Sequence, residues 1–143
     1  MIAVNHVPSY PSYRSPDSTL SSTTPGTGVL SRKHWVPLFE KHNVDCVLEH
    51  HDHTFKRTRP LKEGLINDNG IVYLGDGSWG KLRVPKTAED RPYLAKTSEA
   101  YHMTVHYLEG KERFHVALED TGRIVDVYRT VKRPRRAVGR SAT

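Results

Sequence analysis

One segment constrains this 143-residue chain more than any other: Val44-Asp45-Cys46-Val47-Leu48-Glu49-His50-His51-Asp52-His53-Thr54-Phe55-Lys56-Arg57-Thr58. An apolar run of strand length leads straight into clustered imidazoles and carboxylates, then into a basic, aromatic stretch. Neutral imidazole is the commonest metal ligand near pH 7. A strand ending in His-x-His can therefore present two ligands, His51 and His53, to adjacent ions. Asp52 between them is placed to accept an imidazole N–H and fix its orientation. Lys56 and Arg57 follow at a spacing suited to an anion. The rival reading is an exposed, His-rich loop that binds metals adventitiously.

The rest of the chain gives this segment its setting. Residues 2–4 form a short strand ended by His6-Val7-Pro8. Residues 8–28, rich in Pro, Ser, Thr, Gly and Tyr, read as a long loop. Ser31 can cap a helix running to about His42, in which Pro37 either kinks the helix or marks its true first turn. The strand 44–48 follows. Residues 54–68 read as a charged connection, and Asp68-Asn69-Gly70 as a tight turn into the strand 71–74. Gly75-Asp76-Gly77-Ser78-Trp79-Gly80 is a glycine-rich loop that can turn the chain or cradle an anion. Residues 84–97 read as a second loop. The stretches 101–108, 113–118 and 124–131 alternate and predict an antiparallel meander, with Tyr101, Met103, Val105 and Tyr107 on one face and Phe114, Val116 and Leu118 inward.

The length suits one domain, here 1–131, followed by a basic tail over 132–143 read as disordered. The formal charge of +6 permits anionic partners without choosing among them. The tail carries Lys132, Arg133, Arg135, Arg136 and Arg140. No aromatic residue interleaves them for base stacking, so nucleic acid is not the expected partner. The single cysteine, Cys46, excludes an internal disulfide and reads as a small core residue. No run of eighteen apolar residues predicts a transmembrane segment. The first residues lack a basic n-region and a long apolar stretch, so no signal peptide is expected there. They read as a core strand beginning abruptly, as if something upstream were missing, and the compartment stays open.

A strand ending in His, a helix, and a strand ending in His-x-His together resemble the C-terminal half of the calcineurin-like metallophosphoesterases, in the purple-acid-phosphatase-like branch. The resemblance rests on Asn5-His6-Val7-Pro8-Ser9-Tyr10-Pro11, on Trp35 to Asp45, on His50-His51-Asp52-His53-Thr54-Phe55-Lys56-Arg57-Thr58, and on Gly70 to Gly80. It covers about residues 2–80 well and the final strands more loosely. It implies an α/β fold: the C-terminal part of an α-β-β-α sandwich, ending in antiparallel strands. It implies hydrolysis of phosphate mono- or diesters with two divalent or mixed-valence metal ions (Fe, Zn or Mn). His6 and His51 would then be ligands of one metal and His53 of the other, with Arg57 toward the substrate. The family's Asp-x-His and Gly-Asn-His motifs are absent, and Gly75-Asp76 stands in the wrong order to supply the bridging aspartate. The resemblance thus implies about half of a binuclear site, inactive alone and needing the missing N-terminal half of the domain. His50 also replaces the family's glycine, where a histidine could strain the turn or offer a further imidazole. The alternative is a small basic β-rich module that binds phosphorylated or nucleic-acid ligands without catalysis.

Overall fold

The computed structural model describes residues 1–19, 26–75 and 77–132. A mixed five-stranded sheet lies at the centre, in the order β1-β2-β6-β3-β7. Its strands are β1 (Ile2–Asn5), β2 (Cys46–Glu49), β3 (Phe55–Thr58), β6 (Val72–Gly75) and β7 (Leu94–Ser98). β1, β2 and β6 run parallel, while β3 runs antiparallel to both β6 and β7. A small hairpin, β4 (Leu61–Lys62) with β5 (Leu65–Ile66), interrupts the path from β3 to β6. Three long strands, β8 (His102–Glu109), β9 (Glu112–Glu119) and β10 (Ile124–Val131), form a separate antiparallel sheet.

Strand alternation sends side chains to two different covers. Ala3, Val47 and Tyr73 join Tyr10, Val36, Leu61 and Ile71 under the helical layer. That layer is α1 (Thr27–His34) and α2 (Val36–Lys41). Cys46, Val72 and Leu74 face the other way and meet Tyr128 of the second sheet. Phe55, Ala100, Ala117 and Val125 close the same interface. Two ion pairs clamp the sheets together: Arg113–Asp45 at 2.9 Å and Arg57–Asp126 at 2.6 Å. Burial pushes the Cys46 thiol up to about 12, consistent with an inert packing role.

Several sequence expectations are corrected. The helix starts at Thr27 with Gly26 as its N-cap, not at Ser31. Ser31 lies within α1, and its hydroxyl bonds that of Ser9 at 2.8 Å. Of the two readings of Pro37 the first-turn one holds: it opens α2 near its first position, where a missing N–H costs nothing, and the chain forms two helices rather than one kinked helix. The charged connection 54–68 contains β3 and the β4–β5 hairpin, and the loop 84–97 contains the start of β7. The basic tail from residue 133 onward, Asp76, and residues 20–25 of the long loop lie outside the described residues.

The largest correction concerns the C-terminal meander. Its buried face carries His102, Arg113, His115, Ala117, Val125 and Thr130. Met103, Val105, Tyr107, Ile124, Val127 and Val131 are exposed on the other. Phe114, Val116 and Leu118, expected inward, are cross-strand neighbours of Tyr107, Val105 and Met103 on this outer face. The polar face turns inward because its cations and imidazoles find partners there: Arg113 on Asp45, and His115 between His106 (2.7 Å) and Thr130 (2.8 Å).

Two predictions arise from this packing. Desolvation first, then His106 and Arg113, lower the His115 pKa to about 4. The unfolded imidazole titrates near 6.5, so below that pH the unfolded chain takes up the proton first. The contribution of His115 is therefore complete above pH 6.5 and falls away down to about pH 4, by roughly 3 kcal/mol in total. Urea midpoints across pH 4–7 should fall less steeply for His115→Gln than for the native chain; parallel profiles would refute this. The second concerns β1, an edge strand whose Val4 is 71% exposed. An uncovered edge beside apolar surface invites pairing. Size-exclusion chromatography should show self-association that Val4→Lys reduces, and a clean monomer at all concentrations would count against it.

Candidate functional site

The C-terminal ends of β1 and β2 lie side by side because these strands pair in parallel, Asn5 opposite Glu49. The residues just beyond both ends therefore meet. The His6 carbonyl accepts the backbone N–H of both His50 (3.0 Å) and His51 (2.9 Å). That double acceptor pins the two histidine-bearing loops together. His6 Nε2 and His51 Nδ1 stand 3.1 Å apart, with their ring planes crossed at 68°. Burial, the Arg14 guanidinium and His6 all lower the His51 pKa. Its neutral form, the one that binds a metal, is favoured.

His53 is placed two residues further on, with φ +55°. Its Nδ1 is buried without a hydrogen-bond partner among the described residues. The backbone carbonyl of His53 accepts the N–H of Arg83 at 3.1 Å. His6 and His51 are thus brought into contact. Among the described residues no group of three His, Cys, Asp or Glu side chains surrounds a common ion position. His50 does not carry the strain expected at the family's glycine, since the left-handed conformation falls at His53 instead. The His50 ring lies 3.3 Å from the Asn5 carbonyl.

Two buried carboxylates hold this arrangement. Glu49 closes β2, and its Oε1 accepts the Ser9 N–H at 2.6 Å. Its Oε2 takes the Lys56 ammonium, which also donates to the Tyr10 carbonyl. Asp52 is not an imidazole acceptor as expected. Its Oδ2 takes the N–H groups of Ser12 (2.7 Å) and Tyr13 (2.8 Å), and its Oδ1 takes Arg14 at 3.1 Å. Both carboxylates thus anchor the loop that follows His6. Lys56 is fully buried and its charge is met by Glu49 rather than turned toward a ligand. Its stem lies over Gly75, where a Cβ would come within 2.4 Å of Lys56 Cγ. Gly77 (φ +101°) packs just as closely on the His50 carbonyl, so these two glycines serve close approach of the chain. Arg57 points away from the histidines: its Nε bonds Asp126 (2.6 Å) and its guanidinium lies 4.3 Å from the Tyr128 ring centroid.

Arg14 and Arg83 escaped the sequence reading. Neither sits in a motif, and only the fold carries them to the loop of His51 and His53. The Glu49–Lys56 pair was equally hidden, although a charge at each end of a short loop between strands was its available signal. Removing one partner of such a buried pair leaves an uncompensated charge. Lys56→Met should destabilise the chain by about 3–5 kcal/mol in urea unfolding, and adding Glu49→Gln should recover part of that loss. Independent, additive effects would show that the pair is not coupled.

No family model matches the chain. Over 81 residues it is 37% identical to elongation factor-like GTPase 1 of Mus musculus, a match spanning 57% of this chain and 7% of that protein. Its fold is similar to that of GAP50, the anchor in the inner membrane complex of Plasmodium, with a TM-score of 0.72 and 16% identity over 94% of this chain. It is similar also to purple acid phosphatase PPD1 from yellow lupin (Lupinus luteus) seeds, with a TM-score of 0.67 and 16% identity over 90% of this chain. The chain spans 37% and 24% of those two structures. At this level of identity the likeness concerns the fold: a mixed α/β part of a purple-acid-phosphatase-like architecture, ending in antiparallel strands.

Proposed function

We propose that this chain supplies the distal histidines of a metallophosphoesterase site that hydrolyses phosphate mono- or diesters. The observation that carries the reading is the 3.1 Å separation of His6 Nε2 and His51 Nδ1. Two imidazole nitrogens sharing one metal at bonds of about 2.0–2.1 Å stand roughly 2.9–3.3 Å apart. The pair therefore has the spacing of one edge of a coordination shell. The unsatisfied, buried Nδ1 of His53 fits a third ligand, directed at a second ion. In this reading His6 and His51 hold one metal and His53 the other, as Fe, Zn or Mn.

Metal ions bound there would offset the charge that develops on the phosphoryl oxygens and supply an activated water. The protein's part is to hold the imidazoles in place. Burial and Arg14 lower the His51 pKa and so favour its metal-binding neutral form. Glu49 and Asp52 fix the loop that carries His6. Arg57 would serve the ester only on leaving Asp126. The remaining, carboxylate-bearing half of the domain is the partner this reading requires.

The test combines binding and turnover. Cobalt or zinc should bind the isolated chain weakly, and His51→Ala should abolish that binding. A chromogenic phosphate ester with Zn, Mn or Fe should show little hydrolysis. Robust hydrolysis that survives His51→Ala would overturn the assignment.

A further inference from the structure

We propose that the cleft between α2 and the β4–β5 hairpin binds a small organic monocation, a primary ammonium carried on an apolar or aromatic body. This cleft lies away from the histidines and does not depend on the hydrolytic reading above.

The topology separates the two places. β1, β2 and β6 run parallel, so their starts share one end of the sheet and their ends the other. His6 and His51 follow the ends of β1 and β2. Asn43, ahead of β2, and Gly70 and Ile71, ahead of β6, border the cleft instead. It encloses about 960 Å³, a volume within the ~300–1,000 Å³ usual for small-molecule sites. Its floor is apolar, because Val36, Leu61 and Ile71 belong to the core cluster under the helices. The hairpin wall is hooked to the helix wall: the Glu63 N–H donates to Glu40 Oε1 at 2.7 Å. Glu63 (φ +53°) and Gly64 (φ +77°) make the tight turn that carries this N–H to α2.

Two polar groups of the cleft are left without a match. Tyr10 is only 5% exposed, and its ring packs edge-on against Tyr73 and Tyr93. It borders the cleft, and its hydroxyl makes no hydrogen bond to a described residue. Burial first, and then the Glu40 charge, push the Tyr10 pKa up to about 12, so it stays a neutral phenol. Glu40 is half-buried, gives one oxygen to the Glu63 N–H, and forms no ion pair among the described residues. Arg32 also borders the cleft, but its guanidinium is committed to the Ser9 carbonyl (2.7 Å), the Pro16 carbonyl (2.6 Å) and Asp17 (2.9 Å). A carboxylate without a counter-charge, close to a phenol oxygen, forms an acceptor pair for a cationic N–H group. An ammonium has three donors and can serve both acceptors at once. The apolar floor takes the body of such a ligand, and the water it displaces strengthens the charge-assisted bond. Lys41 and Lys62 stand exposed at the mouth and repel a second positive group, so a monoamine fits better than a polyamine.

The experiment titrates the full chain, by calorimetry at low ionic strength, with three ligands of similar shape and different charge: phenethylamine, phenethyl alcohol and hydrocinnamate. The amine should bind about tenfold more tightly than the alcohol, the margin of a charge-assisted over a neutral hydrogen bond, and hydrocinnamate most weakly. Glu40→Gln keeps an oxygen for the Glu63 N–H and removes the charge. It should lower the amine to the affinity of the alcohol and leave the alcohol unchanged, which reports an intact cleft. Tyr10→Phe should weaken amine and alcohol alike by several fold, since both bond the hydroxyl. Equal binding of amine and alcohol by the native chain would overturn the site, as would an amine preference that survives Glu40→Gln. So would tightest binding of hydrocinnamate, which would give the cleft to Lys41 and Lys62, or no binding of the amine at millimolar concentration.

Discussion

The buried Glu49 carboxylate is the interaction on which the rest of the site depends. It stands at the end of a central strand, where a charge is costly unless every lone pair is used. Here one oxygen accepts the Ser9 N–H and the other the Lys56 ammonium, which in turn reaches Tyr10. Three separate stretches of chain, the loop after β1, the end of β2 and the start of β3, are thereby held to a single point. The backbone pairing of His6 with His50 and His51 is built on that fixed geometry. A loop fixed only by weak surface contacts would not keep two ring nitrogens 3.1 Å apart.

Asp52 repeats this device three residues further along the chain. Its bonds to consecutive backbone N–H groups resemble the capture of an anion by a backbone nest, with the protein's own carboxylate as the anion. The two carboxylates divide the work. Glu49 stiffens the base of the loop after His6, and Asp52 stiffens its far side, where Tyr13 and Arg14 emerge. Lys56 is positioned by Glu49 and Arg14 by Asp52.

Much of this arrangement was legible in the residues. The strands over 2–5 and 44–48, the helix between them and the histidines at the strand ends all follow from apolar runs and punctuation. The parallel pairing then brings His6 to His51. The partners of the carboxylates were not legible, because Glu49–Lys56 and Asp52–Ser12 are contacts between elements, and periodicity describes elements singly. The inverted C-terminal sheet shows a different limit. Alternation along β8 and β9 separates two faces, but it does not say which one meets the core. The apolar face was the natural choice. It lost because Asp45 and Thr130 offer Arg113 and His115 partners that solvent-facing placement would forfeit.

His53 carries a consequence of its own. A non-glycine residue with φ +55° holds a backbone conformation that costs about 1 kcal/mol or more. Glycine would relieve that cost at once. The residue that would make the turn most comfortable is thus the one that deletes the imidazole. Position 53 is where the comfort of the turn and the presence of a buried imidazole pull in opposite directions.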